Sequence, residues 1–150
     1  MRRRLQPASM PHQVRGMSLI EVMVSVLVLA VGLLGVAATQ SLALRGGQGS
    51  LESSQAVMQA SSVAEAMRAN RTNAASYNLS SMTCAAPGGA GLAGADIDAW
   101  IGSLKSTIGN NANTCGQIAG CPDACVITVQ WDDSRAGGSS TRTLVTRTRI

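Results

Sequence analysis

The chain has almost no aromatic side chains: its 150 residues include no phenylalanine, one tyrosine and two tryptophans. A domain with so little aromatic area to bury needs other means of stabilisation, such as disulfide bonds. Histidine is equally scarce, because the one copy, His12, lies near the N-terminus. The rest of the chain therefore lacks the imidazole that activates a nucleophilic Ser or Cys in many hydrolases, and we expect no catalytic residue.

Charge is missing from a long stretch near the N-terminus. Residues 22–44 contain no Asp, Glu, Lys or Arg, and a helix of this length can span a bilayer. Basic residues precede it, namely Arg2, Arg3, Arg4 and Arg15. By the positive-inside rule, we expect the N-terminus in the cytoplasm and the chain beyond the span in the periplasm.

After residue 16 the chain is also close to neutral. The formal net charge of +4 comes from the four early arginines, because the remaining eight basic residues balance the eight acidic ones. A near-neutral exported part argues against nucleic-acid binding by this chain alone.

A single carboxylate stands at the start of the apolar run, in the sequence Gly-Met-Ser-Leu-Ile-Glu of residues 16–21. A glutamate in hydrocarbon costs a few kcal/mol, so it usually has a partner and a function. Hydropathy alone also allows an ordinary signal peptide cleaved near Ala38, or a plain membrane anchor. Neither alternative accounts for Glu21.

This hexad and the run behind it resemble the processing site of type IV prepilins. The resemblance implies cleavage between Gly16 and Met17 by prepilin peptidase, N-methylation of Met17, and retention of Glu21 for assembly. Phenylalanine is usual at the first mature position in this family, and we interpret Met17 as a tolerated large apolar variant. Residues 10–16 have the short basic form typical of the leader, so we hypothesise that translation starts at Met10.

Three further segments resemble PilV-type minor pilins: residues 63–71, the region around Asp96, Asp98 and Trp100, and residues 126–135. The family resemblance implies a structural protein without metal or cofactor. It would act with other minor pilins to prime pilus assembly and remain near the tip, in adhesion and twitching motility. A minor pseudopilin of a type II secretion system is the alternative, and a tip adhesin or DNA-uptake component also stays open.

The predicted architecture is α+β, the type IV pilin fold of a long N-terminal helix packed on a small antiparallel sheet. We expect a leader (1–16), a transmembrane or filament-core half-helix (17–44), an amphipathic half-helix (45–70) and a globular domain (71–150). Three glycines within residues 46–49 favour a kink or local melting between the halves. An apolar stripe is expected on the second half, with Glu52 off it; its members are Ala56, Val57, Ala60, Val63, Ala64 and Met67.

Within the globular part, periodicity predicts one helix and two strands. The helix has Ile97, Trp100, Ile101 and Leu104 on one face and Asp96 at its start. Residues 125–131 alternate as a strand. Residues 141–150 predict an exposed or edge strand, after a turn at 132–140. We interpret Asp132 and Asp133 as turn formers with an ion pair to Arg135, in preference to an acid or Ca²⁺ site.

All four cysteines, Cys84, Cys115, Cys121 and Cys125, lie in the exported part. In an oxidising compartment, an even number of cysteines in a small domain predicts two disulfides, with three possible pairings. A zinc site is the alternative, but it lacks a nearby histidine and the usual two-residue gap between cysteines. Among the pairings we favour the nested one, Cys84 with Cys125 around Cys115 with Cys121.

Overall fold

The computed structural model describes residues 16–150. In chain order they form helix α1 (Leu19–Ala69), a 3₁₀ segment (Arg71–Tyr77), helix α2 (Gly91–Thr107), and strands β1 (Cys115–Ala119), β2 (Cys125–Trp131) and β3 (Arg142–Thr148). The chain divides into two compact units, one ending at Gln40 and the other comprising Ser41–Ile150. A long N-terminal helix followed by a small antiparallel sheet confirms the predicted α+β class and is consistent with the type IV pilin fold.

The second half of α1 packs through a stripe of small apolar residues. As predicted, the helix ends just before Asn70 and buries one face; the buried members of the predicted stripe are Ala56, Ala60, Val63, Ala64 and Met67. Val57 was wrongly assigned to this stripe, because half of its surface is exposed. It follows Ala56 directly and so lies about 100° further round the helix, beyond the buried face.

The glycine-rich segment does not melt α1, which runs through it as one continuous helix, so the expectation of local melting was wrong. Gly49 is buried, and a Cβ there would lie 3.1 Å from the Ala136 side chain and 3.2 Å from the Asp133 carboxylate. The Ser53 hydroxyl also donates a hydrogen bond of 2.7 Å to the Gly49 carbonyl. Close tertiary packing at Gly49 therefore compensates for the low helix propensity of glycine, as packing commonly does.

Helix α2 carries the predicted apolar face but begins five residues earlier than Asp96, at Gly91. All four predicted face residues, Ile97, Trp100, Ile101 and Leu104, are buried. The Trp100 indole donates a hydrogen bond of 3.1 Å to the Gln59 carbonyl, which links α2 to α1. Its ring lies over Gly116 of β1, where any Cβ would clash with it at 2.5 Å.

Its early position in the pattern had suggested that Asp96 caps the helix, but it does not. It lies inside α2 and accepts a hydrogen bond from the Tyr77 hydroxyl. Burial of the phenol, and secondly this bond to Asp96, raise the pKa of Tyr77. The one tyrosine of the chain thus ties the 3₁₀ segment to α2 through a buried ring and a polar tip.

The three strands form one antiparallel sheet in the order β1-β2-β3. The β2–β3 hairpin confirms both predicted strands, with Cys125 opposite Thr148 and Trp131 opposite Arg142. Ile127, Val129 and Trp131 alternate into the core as predicted. Strand β1 was not predicted; it pairs with β2 from Cys115 opposite Gln130 to Ala119 opposite Val126.

The two edges of the sheet differ. The outer edge of β1 is covered, because Leu79 donates its N–H to the Ile118 carbonyl while Thr83 and Gly116 exchange two hydrogen bonds, each of 2.8 Å. Strand β3 forms the other edge, in agreement with the exposed or edge strand predicted for it.

The four cysteines form two disulfides, Cys84–Cys115 and Cys121–Cys125. The nested pairing favoured from the sequence was therefore wrong. The bridge between Thr83 and Gly116 brings Cys84 beside Cys115, with their Cα atoms 4.0 Å apart. Cys121 and Cys125 flank the short turn between β1 and β2, so they meet within the turn itself.

Candidate processing and assembly site

The residues of the candidate cleavage site precede the first helix. Gly16, Met17 and Ser18 are exposed and have no helical structure, and α1 begins at Leu19. The Met17 side chain is 74% exposed. The peptide bond between Gly16 and Met17 thus lies on accessible, non-helical backbone. The proposed leader up to Arg15, with the hypothesised start at Met10, lies outside the described residues.

Glu21 lies in the first turn of α1, where its backbone N–H donates a 3.0 Å hydrogen bond to the Ser18 carbonyl. Its side chain is exposed, and residues 16–150 provide no ion-pair partner for it. A carboxylate in the first turn is favoured by the helix dipole. The carboxylate is therefore held at the start of the helix, free to meet a cation from outside this part of the chain.

The helical turns that follow Glu21 expose large aliphatic side chains on every side. An 18-residue window of α1 has a mean hydropathy of 2.6, with none of it buried. By length and composition α1 is the one helix in residues 16–150 that could cross a membrane. Exposed apolar surface on this scale marks a site of contact with a membrane or with other proteins.

The comparison with protein families finds the prokaryotic N-terminal methylation motif at residues 11–37. The match includes Gly16, Met17 and Glu21 and extends through most of the apolar run. No curated protein and no solved structure matches the chain significantly. The motif indicates a type IV pilin-like protein, either a pilin or a pseudopilin. It implies processing by prepilin peptidase and assembly with other pilus components, and with the apolar helix it fits anchoring in the inner membrane before entry into a pilus.

The Ser41–Ile150 unit carries the cysteines and the acidic pair that the sequence analysis singled out. Both cysteine pairs are oxidised, and residues 16–150 contain no group of three or more His, Cys, Asp or Glu side chains that could hold a metal. Asp132 is a turn former, as predicted: hydrogen bonds from the hydroxyl and then the backbone N–H of Ser134 lower its pKa. The predicted ion pair was misassigned, because Asp133 pairs with Arg142 at 2.5 Å and not with Arg135.

A polar cluster that sequence reasoning missed joins α1 to the end of β2. It consists of Glu52 on α1, Trp131 and Asp133 at the end of β2, and Arg142 on β3, whose guanidinium lies 5.6 Å from the centre of the Trp131 ring. Three of its buried atoms have no hydrogen-bond partner among the described residues; they are Glu52 Oε2, Trp131 Nε1 and Asp133 Oδ1. Each such group carries a desolvation cost.

The two carboxylates of this cluster affect one another. Burial raises the pKa of Glu52, the Asp133 carboxylate raises it further, and the Arg135 guanidinium opposes the rise. The raised pKa means that the folded cluster favours the protonated form of Glu52, which relieves its repulsion with the Asp133 carboxylate. The cluster therefore holds α1 against the β2–β3 turn most firmly when Glu52 is protonated.

The sequence contained a signal for this cluster. Glu52 lies four residues before Ala56, so it shares the face of the buried stripe and was wrongly placed off it. Asp133 similarly follows Trp131 by two residues, in phase with the inward positions of β2. A buried acidic side chain needs a partner, and for Asp133 that partner is the half-exposed Arg142.

Proposed function

We propose that the chain is a minor pilin of a type IV pilus, cleaved between Gly16 and Met17 and methylated at Met17. The observation that carries this proposal is the combination at the N-terminus. A glycine on accessible backbone is followed, five residues later, by a carboxylate at the start of α1, whose first half is apolar and exposed on every side. An ordinary signal peptide needs no such acid.

In the proposed layout, residues 1–16 are the leader and residues 17–44 serve as a membrane anchor, later as filament core. Residues 45–70 join the anchor to a globular domain of residues 71–150 in the periplasm. In support, the stripe beginning at Ala56 packs within the Ser41–Ile150 unit, while the apolar turns before Gln40 bury nothing. The anchor would therefore exchange lipid for neighbouring subunits.

Glu21 is the proposed assembly residue. After cleavage, the methylated amine of a neighbouring subunit is a cation, and Glu21 is an anion at the start of its own helix. Two charges brought together in a low-dielectric core interact strongly, and removal of one leaves the other buried and unpaired. Pairing of Glu21 with that amine would therefore favour docking of one subunit on another and set their register.

The partners proposed are other minor pilins and pilus subunits, in a complex that primes assembly and stays near the tip. Support comes from the likeness of residues 63–71 and 126–135 to PilV-type minor pilins. In the fold these residues form the last buried turns of α1 and the central strand with its following turn. A minor pseudopilin of a type II secretion system remains the alternative, because the methylation motif supports both classes.

Intact-mass measurement of membrane-extracted protein tests the processing step. We expect a chain that begins at Met17 and carries one additional methyl group. A mature terminus near Thr39 would instead indicate a signal peptide, and a retained leader would indicate a plain anchor. To separate pilus from secretion, the tagged chain is sought in sheared pili; its absence there, with loss of protein secretion on deletion, would favour the pseudopilin.

A further inference from the structure

Two arginines from distant parts of the sequence line one cavity in the Ser41–Ile150 unit. The cavity has a volume of about 450 Å³. Its lining includes Arg45, Ser50 and Ser53 of α1, and Asp133 and Arg142 from the β2–β3 hairpin. Two guanidinium groups and the Ser50 hydroxyl can donate hydrogen bonds, which is the chemistry that recognises a phosphate. The Ser53 hydroxyl already donates its proton to the Gly49 carbonyl.

Arg142 is held in place before any ligand arrives. Its Nη1 atom pairs with Asp133 Oδ2 at 2.5 Å, and its guanidinium lies against the Trp131 ring. The Asp133 side chain is only 3% exposed, whereas 47% of the Arg142 side chain is exposed. A ligand in the cavity therefore meets the guanidinium more than the carboxylate behind it, and little side-chain entropy is lost on binding.

Arg45 supplies the second positive charge and lies at the end of the apolar run, which relates the cavity to the membrane surface. It is the first charged residue after the run of residues 22–44, so it lies at headgroup depth when that run spans a bilayer. No ion pair of Arg45 is found within the described residues. At Gly46 and Gly49, α1 lines the cavity with backbone alone. A Cβ on Gly49 would lie 3.9 Å from Arg142 Nη1.

We propose that this cavity binds the phosphate of an anionic phospholipid headgroup while the chain is anchored in the membrane. The inference rests on the proposed function, because it needs residues 17–44 to span the bilayer. The two guanidinium groups outweigh the single Asp133 carboxylate, so the lining favours an anion. The depth of Arg45 favours a lipid phosphate over a phosphate free in solution.

Binding is measured on the full chain in neutral maltoside micelles. Dihexanoylphosphatidylglycerol is added, and the lipid retained on the chain is counted by native mass spectrometry. We expect one retained lipid on the wild type, and binding about tenfold weaker in Arg45→Gln and in Arg142→Lys, because each variant loses one guanidinium donor set. Wild-type retention in both variants would overturn the proposal.

The matched control is Arg147→Gln, which removes an arginine from the same strand at an exposed position outside the cavity. It should retain lipid like the wild type, and equal weakening in this variant would mean that only net charge matters. Arg142→Lys keeps a cation beside Asp133. If it nevertheless fails to fold by circular dichroism, Arg45→Gln decides, since Arg45 has no ion pair to lose among residues 16–150.

The same experiment also distinguishes lipid phosphate from inorganic phosphate, and tests lipid binding separately from cleavage of the leader. Inorganic phosphate at equal concentration should not displace the lipid, and equal displacement would overturn the lipid assignment. The same spectra report the mass of the chain, and hence whether residues 1–16 have been removed. A chain that keeps its leader yet retains lipid would contradict the processing proposal while supporting this one.

Discussion

The two halves of α1 have the same backbone structure and opposite surroundings. The turns up to Gln40 present Leu, Val and Ile in all directions and bury none of them. The turns after Leu51 bury one narrow face built mainly of alanine and leave polar residues outside. A helix that is apolar all round is covered by lipid or protein, whereas a one-sided stripe is covered by its own domain. The composition of each half thus identifies what must cover it.

The two regions also depend on different interactions. In the Ser41–Ile150 unit, disulfides, the Trp100–Gly116 contact and the cluster around Asp133 hold together a core with few large side chains. In the described part of the first unit, the hydrogen bonds are those of the backbone and two local side-chain bonds, from Ser25 to the Glu21 carbonyl and from Thr39 to the Val36 carbonyl. Mutations in the first region should therefore alter assembly, and mutations in the second should alter stability.

The largest effect is expected from Glu21→Val. Membrane insertion and cleavage should persist, while the amount of the chain in sheared pili should fall by at least about tenfold, because losing one partner of a buried ion pair costs several kcal/mol. Immunoblots of the membrane and sheared-pilus fractions measure the two quantities. Glu65→Gln is the matched control, since it removes an exposed acid from the other half of the helix. Normal incorporation of Glu21→Val would refute the assembly role.

Removal of either disulfide should destabilise the Ser41–Ile150 unit, by an amount that depends on the length of the loop that the disulfide closes. Loss of Cys84–Cys115, which closes a loop with a sequence separation of 31, should lower the free energy of unfolding by about 4 kcal/mol. Loss of Cys121–Cys125, with a separation of 4, should cost about 2 kcal/mol. Paired Cys→Ser variants of the full chain are compared by urea denaturation in neutral detergent. Equal costs, or the reverse order, would contradict the assignment.

Gly116→Ala should lower the free energy of unfolding by about 1–3 kcal/mol, because the added methyl group overlaps the Trp100 ring. Gly102→Ala on α2 is the control: nothing lies within 4 Å of its Cβ position, so it should be neutral or stabilise by up to about 1 kcal/mol. Thermal denaturation measures both. A neutral Gly116→Ala would mean that the contact between α2 and β1 can relax without cost.

The smallest effect concerns pH and Glu52. Because the pKa of Glu52 is raised from 4.5 in the folded chain, the folded state keeps a proton that the unfolded state releases. Its stabilising contribution is complete below that ordinary pKa and is lost as the pH rises through the raised value. Glu52→Gln should therefore flatten the decline of stability with rising pH and stabilise the chain at neutral pH. Glu65→Gln should leave the slope unchanged; an unchanged slope in Glu52→Gln would exclude the effect.

Sequence patterns predicted those elements whose apolar period is long and uninterrupted. Strand β2 alternates over seven residues and α2 repeats its face over two turns, so both were found. Strand β1 was missed because it has five residues, two of them Cys115 and Gly116, whose environments depend on Trp100 and Cys84. The continuity of α1 through its glycines likewise depends on a distant turn that packs on Gly49.

Among the candidate sites too, the local one could be predicted from the sequence and the one formed by distant residues could not. The hexad of residues 16–21 is local, so its recognition needed only neighbouring residues, and the methylation motif covers it. The cluster of Glu52, Asp133 and Arg142 depends on Glu52 meeting Asp133, which lies 81 positions further along the sequence. Adjacency in sequence suggested Arg135 as the partner of Asp133. The hairpin instead places Arg142 opposite Trp131, from where its guanidinium reaches the Asp133 carboxylate.

The asymmetry of the sheet edges affects how copies of this chain meet one another. Subunits confined to a membrane are concentrated in two dimensions, where an open strand edge would recruit the same strand of the next copy and lead to aggregation. The β1 edge is closed by residues 79–83, and the Cys84–Cys115 bond fixes this covering covalently. The open β3 edge carries Arg142 and Arg147, and Arg149 follows it. Charged side chains on an open edge discourage pairing with a second copy, which leaves the apolar helix as the surface through which subunits can associate in order.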